Sequence, residues 1–467
     1  MPVFERQTEI PCSAAALFRW HAAPLAFERL APPWDRIEVL EPLPRLEDGA
    51  RTTLTTALGP LDLSWTARIE GVRDGADGQE AGFVDVQERG PFGSWRHEHR
   101  FVPAGAARCT LHDRITYELP AIPGSVVAAS SVADRLARTF RFRHDTTLRD
   151  IELLNDLNTL DASRAGRTPL RVLITGASGL IGQELRTLLS VLGHTPLRAV
   201  RREARAADEV RWDVDSGRVE TKEPLDAVVH LAGEPIDGRL GAAHLGRVRA
   251  SRIDATRKLV AGVAALPHPP RVFVCASGIS WYGDRKDTVV DEDSARGAGV
   301  LADVAVGWEE AAATAEAHGM RRVSVRTGLA LSPRGGALKK QLPPFLAGVA
   351  GPLAGGAMFQ PYLAIDDVAA IYARAIVDDR VRGPVNAVPP EAPDNREFTR
   401  TLARILGRPA VMPVPAFALR ALFGGIADEG LLTSCRAAPT RMRALGHRFR
   451  HPNVEDALRH VLGRQPS

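Results

Sequence analysis

A chain of 467 residues is too long for one ordinary hydrophobic core and predicts roughly two to four domains. Its 45% apolar and 25% charged residues are those of a soluble globular protein, and a net charge of only +4 gives no case for nucleic acid, which calls for a dense basic face. The opening MPVFERQTEI carries acids and no apolar core, unlike a signal peptide, and no apolar stretch reaches the roughly 20 residues that span a bilayer.

Cys12, Cys109, Cys275 and Cys435 lie far apart with no C-x-x-C pair. That spacing argues against a zinc site or a thioredoxin-type motif and predicts reduced thiols in a cytoplasm. The expected partner is a small-molecule substrate, with neither nucleic acid nor membrane.

Residues 1–157 read mostly as strands. RTTLTTALGPLDLSWTARIEGV, GFVDVQERGPFGSWRHEHRFV and CTLHDRITYEL carry β-branched and aromatic residues, with Gly and Pro between them. A long amphipathic segment follows over about 124–156, with Val132, Leu136 and Phe140 four apart. Its arginines, in RLARTFRFRHDTTLRD, read as a solvated helix face. An antiparallel sheet closed by one long helix is an α+β arrangement. It resembles the helix-grip fold of START-like and polyketide-cyclase-type domains, whose sheet wraps the helix and leaves an apolar cavity.

In SWRHEHRF the strand period puts Trp95, His97, His99 and Phe101 on one face. Two such histidines, with His112 as a third, are ligand types for a metal; the alternative is that they line a cavity wall between aromatics. No carboxylate or cysteine is expected on that face, so no metal is assigned.

NDLNTLDASRAGRTP follows, and 158–168 reads as a linker. Over 169–411 the rhythm changes. LRVLITG, AVVHLAG, RVFVCASG and RRVSVRTG are short apolar runs separated by helical stretches, which predicts a doubly wound, Rossmann-type parallel sheet covered on both faces. Residues 412–467, beginning MPVPAFALRALFGG, read as a small helix-rich C-terminal region.

Gly176, Gly179 and Gly182 stand three apart between the strand RVLIT and an amphipathic helix, with Ser178, Leu180 and Ile181 completing the loop. The first glycine allows the turn, the second lets backbone approach a pyrophosphate, and the third lets helix pack on strand. Free N–H groups at the helix start then face the phosphates. The next strand, HTPLRAV, ends in Arg201 and Arg202 with no acid, so a 2′-phosphate is matched and NADP(H) is the predicted cofactor. The alternative is a pair of solvent-facing arginines.

TGASGLIG, HLAGEPI, SRIDATRKLV, RTGLALSPRGGAL and GPVNAVPPEAPDNREF resemble the atypical extended short-chain dehydrogenase/reductases, and within them the epimerase-like NAD-dependent epimerase/dehydratase family. RPAVMPVPAFALRALFG onward resembles that family's C-terminal domain of unknown function. The resemblance implies that Val200 and Arg201 hold the adenosine end and that Asp213 lies near adenine. Leu231, Ala232 and Gly233 would run under the cofactor, and Arg252 would approach it. Asp366 and Asp367 match an acidic pair beside the substrate cleft, and Tyr362-Leu363-Ala364 replaces a frequent Trp-Ile-His.

Most short-chain dehydrogenases use Tyr-x-x-x-Lys on one helix face. The corresponding helix, GVLADVAVGWEEAAATAEAHG, has neither residue, and none of Tyr117, Tyr282, Tyr362 and Tyr372 has a lysine four positions later. In CASGISWYGD, Ser277 and Tyr282 are the candidate catalytic residues, Ser277 to orient a carbonyl or hydroxyl and Tyr282 to supply a proton. For each the alternative is a hydrogen-bonded strand-end residue. Trp308-Glu309 matches a Trp-Glu pair of the family, and Glu309 reads as a helix-face residue, the alternative being a catalytic base.

Two functions are carried forward. One is an NADP(H)-dependent oxidoreductase or epimerase-like enzyme with a non-standard acid. The other is a dinucleotide-binding sensor or scaffold with a fused apolar-ligand domain. Sugar nucleotides are the family-wide substrate expectation, and the cavity domain adds an apolar carbonyl compound.

Overall fold

The computed structural model describes residues 1–58, 61–119, 125–160, 169–236 and 241–465. They form two compact units: 1–160 with 190–193 and 463–465, and 169–189 with 194–462. Of the expected linker, residues 158–160 continue a helix and 161–168 lie outside the described residues. Described residues 412–462 belong to the second unit. Among the described residues, no helix is long and apolar enough to cross a membrane.

The first unit runs β1 (Val3–Ile10), α1 (Ala14–His21), α2 (Ala26–Leu30), β2 (Ile37–Glu41), β3 (Arg51–Leu58), β4 (Leu61–Asp74), β5 (Ala81–Arg89), β6 (Ser94–Pro103), β7 (Cys109–Glu118) and α3 (Ser125–Leu160). Its seven strands form one antiparallel sheet, ordered β1-β7-β6-β5-β4-β3-β2. The helices α1 and α2 depart from the mostly strand-like expectation, and the Ser13 hydroxyl caps α1 by accepting the Ala16 amide at 3.2 Å.

The period-2 pattern of β6 turns Trp95, His97, His99 and Phe101 inward and leaves Arg96, Glu98 and Arg100 outside. Leu136 and Phe140 of α3 pack on Trp95, Ile115 and Tyr117. The stripe continues through His144, Thr147 and Ile151, all fully buried. The basic run of α3 is only partly solvated. Arg135 pairs with Asp35, Arg138 lies over Trp34, and Arg143 lies over Phe140 and Phe27. A buried bidentate pair, Arg29 with Asp150 at 2.7 and 2.8 Å, ties α2 to α3.

The second unit begins β8 (Arg171–Thr175), α4 (Leu180–Val191), β9 (Thr195–Val200), β10 (Glu209–Trp212), β11 (Val219–Glu220) and β12 (Ala227–His230). Next come α5 (Ala242–Arg249), α6 (Ala255–Ala264), β13 (Val272–Gly278), β14 (Val289–Val290), α7 (Val300–Ala313), β15 (Arg321–Thr327), β16 (Leu329–Leu331) and α8 (Gly336–Leu346). It ends with β17 (Tyr362–Ala364), α9 (Ile365–Val377), β18 (Gly383–Ala387), α10 (Asn395–Leu406), α11 (Ala416–Phe423), β19 (Arg436–Ala437), α12 (Thr440–Ala444) and α13 (Val454–Leu462).

The main sheet is ordered β11-β10-β9-β8-β12-β13-β15-β18, parallel except for β11. From β8 the chain winds outward through β9 and β10, then crosses back to β12. That reversal opens a crevice at the carboxyl ends of β8 and β12, where doubly wound sheets bind ligands. The expected fold class holds: an α+β helix-grip unit, then an α/β doubly wound sheet with a helix-rich C-terminal end.

Candidate functional site

The turn from β8 into α4 is built by its glycines. Gly176 sits at φ +66°, and a Cβ there would meet the Ala232 amide nitrogen at 2.9 Å. A Cβ on Gly182 would lie 2.4 Å from the Gly176 carbonyl oxygen and 2.8 Å from the Ala177 Cα, so α4 packs on the turn only because that side chain is absent. On Gly179 an added Cβ meets only the Gly176 oxygen, at 3.2 Å, and Ser178 and Gly179 are exposed. Among the described residues, the Leu180 and Ile181 amides have no backbone acceptor outside the helix, as expected for a first turn. Leu180 packs its side chain near Gly335, so the SPRGG segment borders the loop. Exposed backbone at the start of a helix is geometry that suits phosphate oxygens.

At the end of β9, Val200 is half-buried and Arg201 is exposed with no protein partner among the described residues. Arg202 is committed elsewhere. Its guanidinium donates to both Glu209 oxygens, at 2.7 and 2.8 Å, and this pairing holds the Glu209 carboxyl down to about 2. Of the two arginines, Arg201 is the one without such a partner among the described residues. Asp213 follows β10, and its carboxylate accepts the amides of Asp215 at 2.9 Å and Ser216 at 3.2 Å. Its carboxylate braces a turn. Leu231 and Ala232 are half-buried beside Gly176, and Gly233 is exposed, with the Arg252 guanidinium close to the position its Cβ would take. Arg252 donates to the Glu234 carbonyl at 2.8 Å and lies over Trp308; burial lowers its pKa to about 10.

Below this surface the Thr175 hydroxyl accepts the amides of Leu231 and Ala232, both at 3.2 Å, so its own hydrogen goes to His230 Nδ1 at 2.7 Å. That arrangement fixes a neutral His230 with its hydrogen on Nε2. Burial drives His230 and His447 from 6.5 down to about 3, and raises Asp367 from 3.8 to about 6. Between pH 6 and 3.8 the unfolded chain holds close to two histidine protons that the folded chain refuses, while the folded chain holds one on Asp367 that the unfolded chain lacks. These three groups therefore cost the second unit about 1.4 kcal/mol per pH unit as pH falls through that window. Urea midpoints should drop steadily from pH 6 to 4.5; a midpoint rising over that range would contradict the assignment.

The carboxyl ends of β13 and β15 carry a charged network. Ser277 pairs in register with Arg326. Arg326 donates from Nε and Nη2 to the two oxygens of Glu309, at 2.8 and 2.9 Å, and the Ser277 hydroxyl donates to Glu309 Oε1 at 2.7 Å. Arg326 Nη1 donates to the Tyr282 hydroxyl at 3.0 Å, which itself donates to Asn386 Oδ1 at 2.8 Å. The guanidinium also lies 3.6 Å from the Trp281 ring centroid. Tyr282 is fully buried, and burial pushes its pKa up to about 12. Its hydroxyl, the expected proton donor, is held between Arg326 and Asn386.

Sequence reading missed Arg326 and Asn386 and placed Glu309 on a helix face, whereas its side chain is 11% exposed and locked in an ion pair. The available signal was an arginine inside VSVRTG, a strand that a parallel sheet buries on both faces. The pair Asp366 and Asp367 anchors C-terminal backbone. Asp367 accepts the Arg450 and His451 amides at 2.6 and 3.0 Å, and Asp366 meets His460 at 3.1 Å. Tyr362, Leu363 and Ala364 are buried in β17, with Tyr362 stacked on Phe398.

In the first unit, His97 and His99 face inward with two carboxylates, Asp85 and Asp113, while His112 lies on β7 opposite Arg100, nearest Glu5. The expected absence of a carboxylate from that face is thus corrected: the acids come from the flanking strands.

Residues 172–387 match the NAD dependent epimerase/dehydratase family, residues 10–143 the polyketide cyclase/dehydrase and lipid transport family, and residues 414–461 a domain of unknown function, DUF1731. An epimerase family protein of Mycobacterium bovis is 38% identical over 296 residues, 63% of this chain and 98% of the relative. The human epimerase family protein SDR39U1 is 33% identical over 299 residues, 63% of this chain and all of the relative. Among solved structures, a nucleoside-diphosphate sugar epimerase from Corynebacterium glutamicum is similar over 98% of this chain and 90% of its own, with a TM-score of 0.78 and 30% identity. Human SDR39U1, solved with NADPH, is similar over 62% of this chain and 99% of its own, with a TM-score of 0.57 and 30% identity. Sheet order, glycine turn and these likenesses agree: the chain belongs to the NAD dependent epimerase/dehydratase family, with a polyketide-cyclase-type domain in front and a domain of unknown function at its C-terminal end.

Proposed function

We propose that the chain is an NADP(H)-dependent oxidoreductase of the epimerase-like kind, acting in the cytoplasm on a small-molecule carbonyl or alcohol. One observation carries the reading: an open glycine turn with exposed backbone, followed one strand later by the guanidinium of Arg201, which has no partner among the described residues. The NADPH bound by human SDR39U1 supports the same cofactor here. Four free cysteines, all buried, suit a reducing compartment.

The Gly176–Gly182 turn and the Leu180 and Ile181 amides would hold the pyrophosphate, and Arg201 the 2′-phosphate. Bound there, the nicotinamide supplies or accepts a hydride. Ser277 Oγ holds its hydrogen toward Glu309 and keeps lone pairs for a substrate hydroxyl. That hydrogen bond, accepted by Ser277 Oγ, would orient the substrate hydroxyl for hydride transfer. Arg326 fixes Glu309 for this task.

The missing tyrosine and lysine of α7 favour a second reading, an NADP(H)-binding sensor. Turnover separates the two. With a panel of carbonyl substrates, the enzyme reading expects NADPH oxidation that Ser277→Ala lowers about 100-fold or more with NADPH affinity unchanged. Tight NADPH binding without oxidation by any substrate would decide for the sensor.

A further inference from the structure

The interior of the helix-grip unit holds a polar constellation that the nucleotide site does not use. Strand register creates it: Asp85 of β5 pairs beside His97 of β6, and His99 pairs beside Asp113 of β7. His97 Nδ1 lies 2.9 Å and His99 Nε2 3.2 Å from the same atom, Asp85 Oδ2. This is the one trio of His, Cys, Asp or Glu donors found converging among the described residues.

The outer partners orient each donor. Asp85 Oδ1 accepts the Trp95 indole N–H at 3.3 Å, which leaves Oδ2 facing both imidazoles. His97 Nε2, on the far side of its ring, is hydrogen-bonded to Asp113 Oδ1 at 2.9 Å. His99 Nδ1 lies 2.8 Å from that oxygen but off the hydrogen-bonding direction, so this buried nitrogen has no aligned partner. Asp113 Oδ2 is held by His144 at 2.7 Å, and the other nitrogen of His144 meets the Thr8 hydroxyl at 2.8 Å. Phe83 stacks on His99 at 4.1 Å.

A carboxylate behind two imidazoles, turning their opposite nitrogens to one point, is the arrangement that orients histidine ligands on a metal. Donors bonded at about 2.1 Å in a tetrahedral site stand about 3.4 Å from one another, a few tenths of an ångström wider than the two separations seen. The Asp85 side chain is 21% exposed, while His97 and Asp113 are almost wholly buried.

We propose that Asp85, His97 and His99 bind one divalent transition-metal ion of the zinc or ferrous type, with Asp113 as the positioning acceptor behind the histidines. Two imidazoles and one carboxylate leave at least one coordination position for water or an oxygen donor of a ligand.

The test uses the full-length chain, stripped with a chelator and titrated with Co2+ and then Zn2+, followed by visible absorption and elemental analysis. Expected are one ion per chain, a loss of affinity of about 10- to 100-fold in Asp113→Asn, and a larger loss in Asp85→Asn. His112→Ala, on the outer face of the same sheet, should bind like the parent. Anomalous scattering from a zinc-soaked crystal of the unaltered chain serves if a variant misfolds, and should place the ion between these three side chains. No stoichiometric uptake, an unchanged affinity in Asp85→Asn, or an ion found elsewhere would each overturn the proposal.

Discussion

Arg326→Met is expected to destabilise the nucleotide-binding unit by about 3–5 kcal/mol, the scale for stripping one partner from a buried ion pair. Arg326 is 3% and Glu309 11% exposed at the side chain, so neither charge has water to fall back on. Losing the guanidinium strands Glu309 in the interior, removes the donor to Tyr282 and uncovers the face of Trp281. A second replacement should reveal the cause. In Arg326→Met with Glu309→Leu no charge is left unpaired, and part of the loss should return. Urea unfolding followed by tryptophan fluorescence reads both variants. A loss below about 1 kcal/mol in the single variant would mean that water reaches the pair, as it does for surface ion pairs.

The second large effect concerns two glycines of one turn. Gly182→Ala should cost both stability and cofactor affinity, because its Cβ would fall 2.4 Å from one backbone atom and 2.8 Å from another, and neither can swing aside. The shift it forces displaces the turn that would hold the pyrophosphate, and NADPH affinity should fall about 100-fold or more. Gly179→Ala is the contrast. Its single contact, at 3.2 Å, needs only a small adjustment, so stability should change by less than about 1 kcal/mol. Its methyl group stands on the exposed side, where phosphate oxygens would come, so affinity should still fall. Equal affinity in parent and Gly179→Ala would show that nucleotide does not lie against this loop.

These expectations also mark what could be read in the chain alone. The glycine turn, the alternating strands of the second unit and the long helix of the first are local patterns, carried by period and spacing. The Arg326–Glu309–Ser277 network is not local. It joins the ends of β13 and β15 to a helix between them, and a lone arginine in an apolar run carries no sign of its partner. The histidine face of β6 fails in the same way: its strand period gives His97 and His99 correctly, but Asp85 and Asp113 arrive only through the register of β5 and β7. Arg201 and Arg202 look alike in the sequence. Glu209, seven residues on, takes Arg202 out of play.

The central claim is that backbone at Gly176–Gly182 and the Arg201 side chain together hold NADP(H). Calorimetric titration of the parent chain and Arg201→Glu with NADPH and NADH tests it most directly. The parent should bind NADPH at least about tenfold more tightly than NADH, and the variant should lose that margin while keeping its affinity for NADH. Equal affinities in the parent, or a margin that survives the charge reversal, would contradict it.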